Sequence, residues 1–89
     1  MSNPELTVYG LMAERHWREF RPKMVKEMEA QGKLKEALFE AQETTIEELE
    51  QTRSQLKKRG LTEQQAHDQA WEMIREKYIL LEPEEDQNP

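Results

Sequence analysis

Apolar residues recur at every third or fourth position along most of this 89-residue chain, and the pattern predicts helices punctuated by a few glycines and prolines. Leu6, Tyr9, Met12, His16 or Trp17, and Phe20 trace one face of a first helix, with Asn3 as its cap and Pro4 in the first helical position. Gly10 inside that run costs roughly 1 kcal/mol relative to Ala. Either the helix opens later than Pro4, or Gly10 admits a neighbouring helix at close range. Pro22 disfavours helical geometry at Arg21 and removes a backbone donor, so a break is expected there. A short second helix carrying Met24, Val25 and Met28 then runs to a stop at Gly32.

The longest run opens at Lys33, with Leu34, Leu38, Ala41, Thr45, Leu49, Thr52 and Leu56 spaced by three or four, and closes on Lys57, Lys58, Arg59 and Gly60. Cations suit the negative end of a helix dipole, and glycine suits the left-handed stop beyond it. A helix from 33 to 59 would extend about 40 Å. Thr44 and Thr45 precede Glu47 and Glu48 at capping-box spacing, so a break near Thr44 is the alternative; the lack of Gly or Pro there favours continuity. Thr62 followed by Gln65 is a capping box for the last helix. Its apolar face reads Ala66, Ala70, Met73, Ile74, Lys77, Tyr78 and Leu81, with Trp71 at the edge and Pro83 as the stop. The short link through Gly60 and Leu61 implies antiparallel pairing. The predicted fold is therefore all-α: a small bundle of about four helices centred on a long antiparallel helical hairpin. Residues 1–82 form one helical domain, and the polar, acidic residues 83–89 are expected to be a disordered tail.

Composition bears on how such a bundle is held. The hydrophobic fraction is 35% and the charged fraction 36%, which leaves little apolar surface to offset the entropy of ordering the chain. With no cysteine there is neither a disulfide nor a thiolate zinc site, so helix packing or self-association must supply stability. A homodimer is expected, joined along the sparse leucine stripe at Leu38, Leu49 and Leu56 in a short coiled-coil-like seam. The opening Met-Ser-Asn-Pro-Glu lacks the features of a signal peptide and no apolar stretch is long enough for a bilayer, so a cytoplasmic location without membrane contact is expected.

The net charge of -6 is unevenly distributed. Residues 14–35 hold seven Lys or Arg against four Glu, and residues 36–89 hold six against fourteen acids. Within the basic part, Arg15, Trp17, Arg18, Arg21, Lys23 and Lys26 interleave cations with an aromatic, accompanied by His16 and Phe20. Such a mixture can neutralise phosphates and stack on exposed bases, so it is the candidate surface for nucleic acid or a protein partner. The helical period favours a plainer role, with Trp17 and Phe20 as core anchors beside Met24 and Met28, and the cations paired with Glu14, Glu19 and Glu27 on the outer face. Met12, Met24, Met28 and Met73 could form an adaptable groove, although methionines at helical spacing more often fill a core.

Catalytic constellations are missing from the sequence. His16 has Glu19 one turn on and His67 has Glu63 one turn before, but neither forms the paired motifs of metal-binding bundles. Ser2 and Ser54 lie in a terminal segment and on a polar helix face, and three glycines cannot build a phosphate loop. The expectation is a contact module with no cofactor and no enzymatic activity.

Several stretches carry a family likeness: Gly10, Arg15-His16, Arg21-Pro22, Gly32-Lys33-Leu34, Gly60-Leu61-Thr62-Glu63-Gln64 and Asp68-Gln69-Ala70-Trp71. In this order and spacing, over most of residues 8 to 75, the chain resembles the small transposon-encoded TnpV-like proteins. It departs from them in being one residue shorter just before Trp71. The resemblance implies a bacterial mobile-element setting and an accessory role beside a recombinase or DNA, and it carries no site residues with it.

Overall fold

The computed structural model describes residues 6–84, which form helices α1 (Val8–Phe20), α2 (Pro22–Ala30), α3 (Leu34–Lys58) and α4 (Glu63–Tyr78). The fold is an all-α bundle around the α3–α4 hairpin, as the hydrophobic spacing predicts. The body is flattened, 46 × 42 × 14 Å. No described helix is long and apolar enough to cross a membrane.

Both questions raised by Gly10 are answered together. The start predicted at Asn3–Pro4 lies outside the described residues, and the helix begins at Val8, where the Thr7 side chain accepts from Tyr9 N. Gly10 is buried against α3, and a Cβ there would lie 2.6 Å from Gln42 Oε1 and 2.8 Å from Leu6 Cδ2. A methyl at that position would force the Gln42 and Leu6 side chains to shift. The same Gln42 Oε1 accepts from Thr7 N at 2.5 Å and from Thr7 Oγ1 at 2.9 Å, so the start of α1 is tied to the middle of α3.

Local signals account for most of the other boundaries. Arg21 leaves helical geometry (φ -132°, ψ 52°) and Pro22 opens α2. At the end of α2, Gly32 takes φ 70° while Lys33 N donates to Met28 O and Gly32 N to Glu29 O, the paired bonds of a Schellman stop. Gly60 repeats the device at φ 103°, with Leu61 N on Leu56 O and Gly60 N on Lys57 O. Leu61 then packs beside Leu56 in the core, the apolar contact that accompanies such stops. In the capping box of α4, Gln65 N donates to Thr62 Oγ1 and Thr62 N to Gln65 Oε1, both at 3.1 Å.

Helix α3 runs unbroken through Thr44 and Thr45 for 25 residues, so the capping-box spacing there is not used. Thr45 is instead fully buried, and with the equally buried Gln42 it forms a polar layer across the interior. On one side of that layer lie Ala13, Trp17, Val25, Leu34, Leu38 and Ile79; on the other lie Leu49, Leu56, Ala66, Ala70 and Ile74. Tyr9, Trp71 and Tyr78 pack against both halves, and the Tyr9 and Trp71 rings meet at 5.6 Å.

Two expectations for α4 are corrected. Its buried stripe is Ala66, Ala70 and Ile74, a narrow line of four-residue steps in which two small side chains let the backbones approach; Met73, assigned to that face, is 60% exposed and Lys77 is exposed. The helix also stops at Tyr78, five residues ahead of Pro83. Ile79 caps the helix, fully buried in the cluster that holds Trp17 and with its N–H still on Arg75 O; the chain leaves the helical path after it, where Leu80 N turns to Arg75 O as well. Leu80 and Leu81 follow it onto the same cluster.

Candidate interaction surface

Folding converts the basic aromatic segment from an open surface into a clasp on the chain's own residues 79–84. Trp17 is buried, and its indole Nε1 donates to Ile79 O at 3.1 Å. His16 Nε2 lies 2.7 Å from Leu81 O; because a carbonyl only accepts, Nε2 carries the proton. The His16 ring also rests on Phe20, with centroids 4.4 Å apart. Arg21 Nη1 donates to Glu82 O at 3.0 Å, and Glu84 N donates to Phe20 O at 3.0 Å. The Glu84 carboxylate accepts from the backbone amides of Lys23 (3.2 Å) and Met24 (2.9 Å) in the first turn of α2. These amides have no partner within their own helix, and the positive end of the helix dipole favours the carboxylate. Pro83 and Glu84 thus lie on the α1–α2 junction, while residues 85–89 of the expected tail lie outside the described residues.

The cations of the segment divide accordingly. Arg18 bonds Glu14 on its own helix and Glu29 on α2, each at 3.0 Å, and these two carboxylates raise the guanidinium pKa. Arg15 and Lys26 are exposed and carry no ion pair among the described residues, whereas Lys23, also exposed, is not free. Of the six residues proposed for partner or nucleic-acid contact, Trp17 is withdrawn into the core, and Arg18 and Arg21 are engaged within the chain. Sequence reading foresaw Trp17 as a core anchor and Glu14 as an acidic neighbour; it missed Glu29, Glu82 and Glu84 as partners.

The leucine stripe assigned to self-association is likewise turned inward. Leu38, Leu49 and Leu56 are all buried within one chain, covered by the packing of α1 and α4 on α3, and cannot present a seam to a second copy. Among the described residues, the large apolar side chains that face outward are Val8 and Leu11, 62% and 56% exposed one turn apart on α1, and Met73 on α4. Arg15 lies one turn beyond Leu11 on that same face of α1.

Beside α1, Tyr9, Ile46, Leu49 and His67 help line an open depression of about 160 Å³, rimmed by Glu50 and Arg53. A second open depression of about 370 Å³ lies at the hairpin end between Glu50, Arg53, Ser54, Lys57, Lys58 and Glu63. There Glu63 bonds Lys57 at 2.8 Å and Arg53 at 3.3 Å, and Lys57 holds the Glu63 carboxyl below the usual carboxylate range. Farther along the hairpin, Glu48 accepts from the Tyr78 hydroxyl and from Lys77 Nζ. Tyr78 and then Lys77 lower the Glu48 pKa, and Glu48 raises those of Tyr78 and Lys77 in return. These groups staple α4 to α3, and His67 is exposed at the edge of the first depression. Among the described residues, no three His, Asp or Glu side chains converge as a metal site would require. Comparison with protein-family models, with curated proteins and with solved structures finds no match for this chain.

Proposed function

We propose that the protein is a helical module that works by contact with another protein, with the α3–α4 hairpin as scaffold and α1 and α2 as the contact surface. The observation that carries this reading is the pair Val8 and Leu11, two large apolar side chains left more than half exposed on consecutive turns of α1 in a chain with few apolar residues to spare. Scattered single apolar residues are ordinary on a surface, but a pair aligned on one helix face with a cation beyond it is a compact contact patch. The resemblance to TnpV-like proteins supplies a mobile-element setting for such a partner, within the bacterial cytoplasm. Direct nucleic-acid binding is the weaker reading, because Arg18 already carries two carboxylates and Arg21 is turned to a backbone carbonyl.

Cross-linking in cells followed by mass spectrometry tests the proposal by comparing the unaltered chain with a Val8→Glu/Leu11→Glu variant. Specific cross-links that disappear in the variant are expected. An identical set from both would reject the α1 face. A mobility shift at low salt tests the other reading: no shift is expected at micromolar protein, and a salt-steep shift abolished by Arg18→Glu and Arg21→Glu would establish it in place of the first.

A further inference from the structure

The cleft between the end of α1 and the start of α2 already holds a peptide, and its contacts separate a general component from a selective one. Trp17, His16 and Arg21 bond the carbonyls of Ile79, Leu81 and Glu82, and Phe20 O takes the amide of Glu84. Main-chain contacts of this kind hold any extended segment whatever its side chains. Selectivity comes from the Glu84 carboxylate, which spans the Lys23 and Met24 amides, and from Leu81, which packs on the core edge three residues before it.

The seated segment is unequally anchored. Ile79 is fully buried and its amide is bonded to Arg75 O, so it stays with the core. From Leu81 onward the chain has no regular secondary structure, and Glu82 and Pro83 are exposed. Displacing Leu81 to Glu84 would uncover the amides of Lys23 and Met24 and the polar ends of His16 and Arg21, with the exposed cation Lys26 one turn farther along α2. That combination complements an acidic extended segment and opposes a basic one.

We infer that the α1–α2 cleft is an acceptor for an extended acidic peptide of a partner protein, bearing an apolar residue three positions ahead of a Glu or Asp, and that the chain's own residues 81–84 are its resident, exchangeable occupant. The inference rests on reading α1 and α2 as the contact surface and supplies that reading with a partner chemistry. A tethered occupant acts at an effective concentration on the order of millimolar, so a free peptide competes poorly until the tether is weakened.

The test uses the full chain and a labelled, end-capped peptide Leu-Leu-Glu-Pro-Glu, with binding read by fluorescence anisotropy. Glu84→Lys places a cation against the start of α2 and weakens the hold on the resident segment, so the variant should bind the peptide at least about tenfold more tightly than the unaltered chain. The same peptide with its last Glu replaced by Lys should bind neither protein. A folded Glu84→Lys variant, with helical circular dichroism retained, that binds no more tightly overturns the inference. Should the variant unfold, NMR of the unaltered chain decides: millimolar peptide must shift the amides of the chain's own Glu82 and Glu84 as they are displaced, and no shift there overturns it. Because neither measurement involves Val8 or Leu11, failure here leaves the cross-linking comparison to stand or fall independently.

Discussion

Replacing Gly10 with Ala tests how α1 is docked. In an isolated helix the change is favourable by about 1 kcal/mol, because Ala loses less backbone freedom on folding than Gly. Here the added Cβ would lie 2.6 Å from Gln42 Oε1 and 2.8 Å from Leu6 Cδ2, separations that real Cβ atoms do not tolerate. The Gln42 oxygen is the end of a side chain and could retreat elsewhere, but it is buried and accepts both bonds from Thr7. Moving it sacrifices two hydrogen bonds, each worth roughly 1 kcal/mol, and the overpacking adds roughly 1–3 kcal/mol. After the helix-propensity gain, a net loss of about 2–4 kcal/mol is expected, equivalent to roughly 10–30 °C in melting temperature for a domain of this size. Urea and thermal unfolding followed by circular dichroism measure it.

A double-mutant cycle separates this mechanism from general damage. Gln42→Ala alone leaves a cavity and strips the Thr7 amide and hydroxyl of their acceptor, so it too destabilises. Combined with Gly10→Ala, it removes the nearest of the atoms that the new methyl would strike, leaving the half-buried Leu6 side chain to shift. The two changes together should therefore cost less than the sum of the single losses by at least about 1 kcal/mol. A Gly10→Ala protein more stable than the unaltered chain, or strictly additive losses in the cycle, would refute the close approach of α1 to α3 at Gln42.

Three further outcomes follow from the interior and the hairpin. Thr45→Val should stabilise the protein by about 1 kcal/mol in urea unfolding, because Thr45 Oγ1 is buried without a hydrogen-bond partner and Val keeps the shape; a loss of stability would show that the hydroxyl is engaged. Glu48 and Glu63 have folded pKa values below the ordinary 4.5, so their stabilising contribution is present above that pH and lost as pH falls through the folded values. The melting temperature should drop below about pH 4.5, and Glu48→Gln should reduce the drop; the raised Tyr78 acts oppositely, its contribution present below its ordinary 10.0 and lost as pH rises beyond it. Light scattering should give the mass of one chain across accessible concentrations, since Leu38, Leu49 and Leu56 are spent inside the fold; a stable dimer would mean that another face pairs the copies.

What was legible in the sequence is what neighbours in sequence decide. The stops at Gly32 and Gly60 and the start at Thr62 are built from residues within five positions of one another, so spacing and residue type suffice to find them. Pro83 is a local signal and places the end of α4 too late, whereas the observed end at Tyr78 is followed by Ile79, Leu80 and Leu81 packed on a cluster that includes residues of α1 more than sixty positions away. The fate of the basic segment was hidden for the same reason. Its partners Glu82 and Glu84 arrive from about sixty positions away, and no pattern around Arg21 announces them. Gln42 left a faint trace: it falls one turn after Leu38 within the buried stripe of α3, a polar residue where the period calls for an apolar one.

That polar residue and the distant acids bear on how α1 is held. The helix is fixed by polar contacts at its two ends, by Thr7 on Gln42 at the start and by His16, Trp17 and the following Arg21 on residues 79–82 at the finish, with Ala13 packed between them. Apolar packing of a small helix is tolerant of sliding and rotation, whereas hydrogen bonds to single acceptors at both ends admit one register. The outward direction of Val8, Leu11 and Arg15 follows from that register. A chain with so few apolar side chains can leave two of them facing solvent because α1 is positioned by these bonds as well as by the core. On this argument, loosening residues 81–84 on the inward side of α1 should alter how firmly the helix presents Val8 and Leu11 on its outward side.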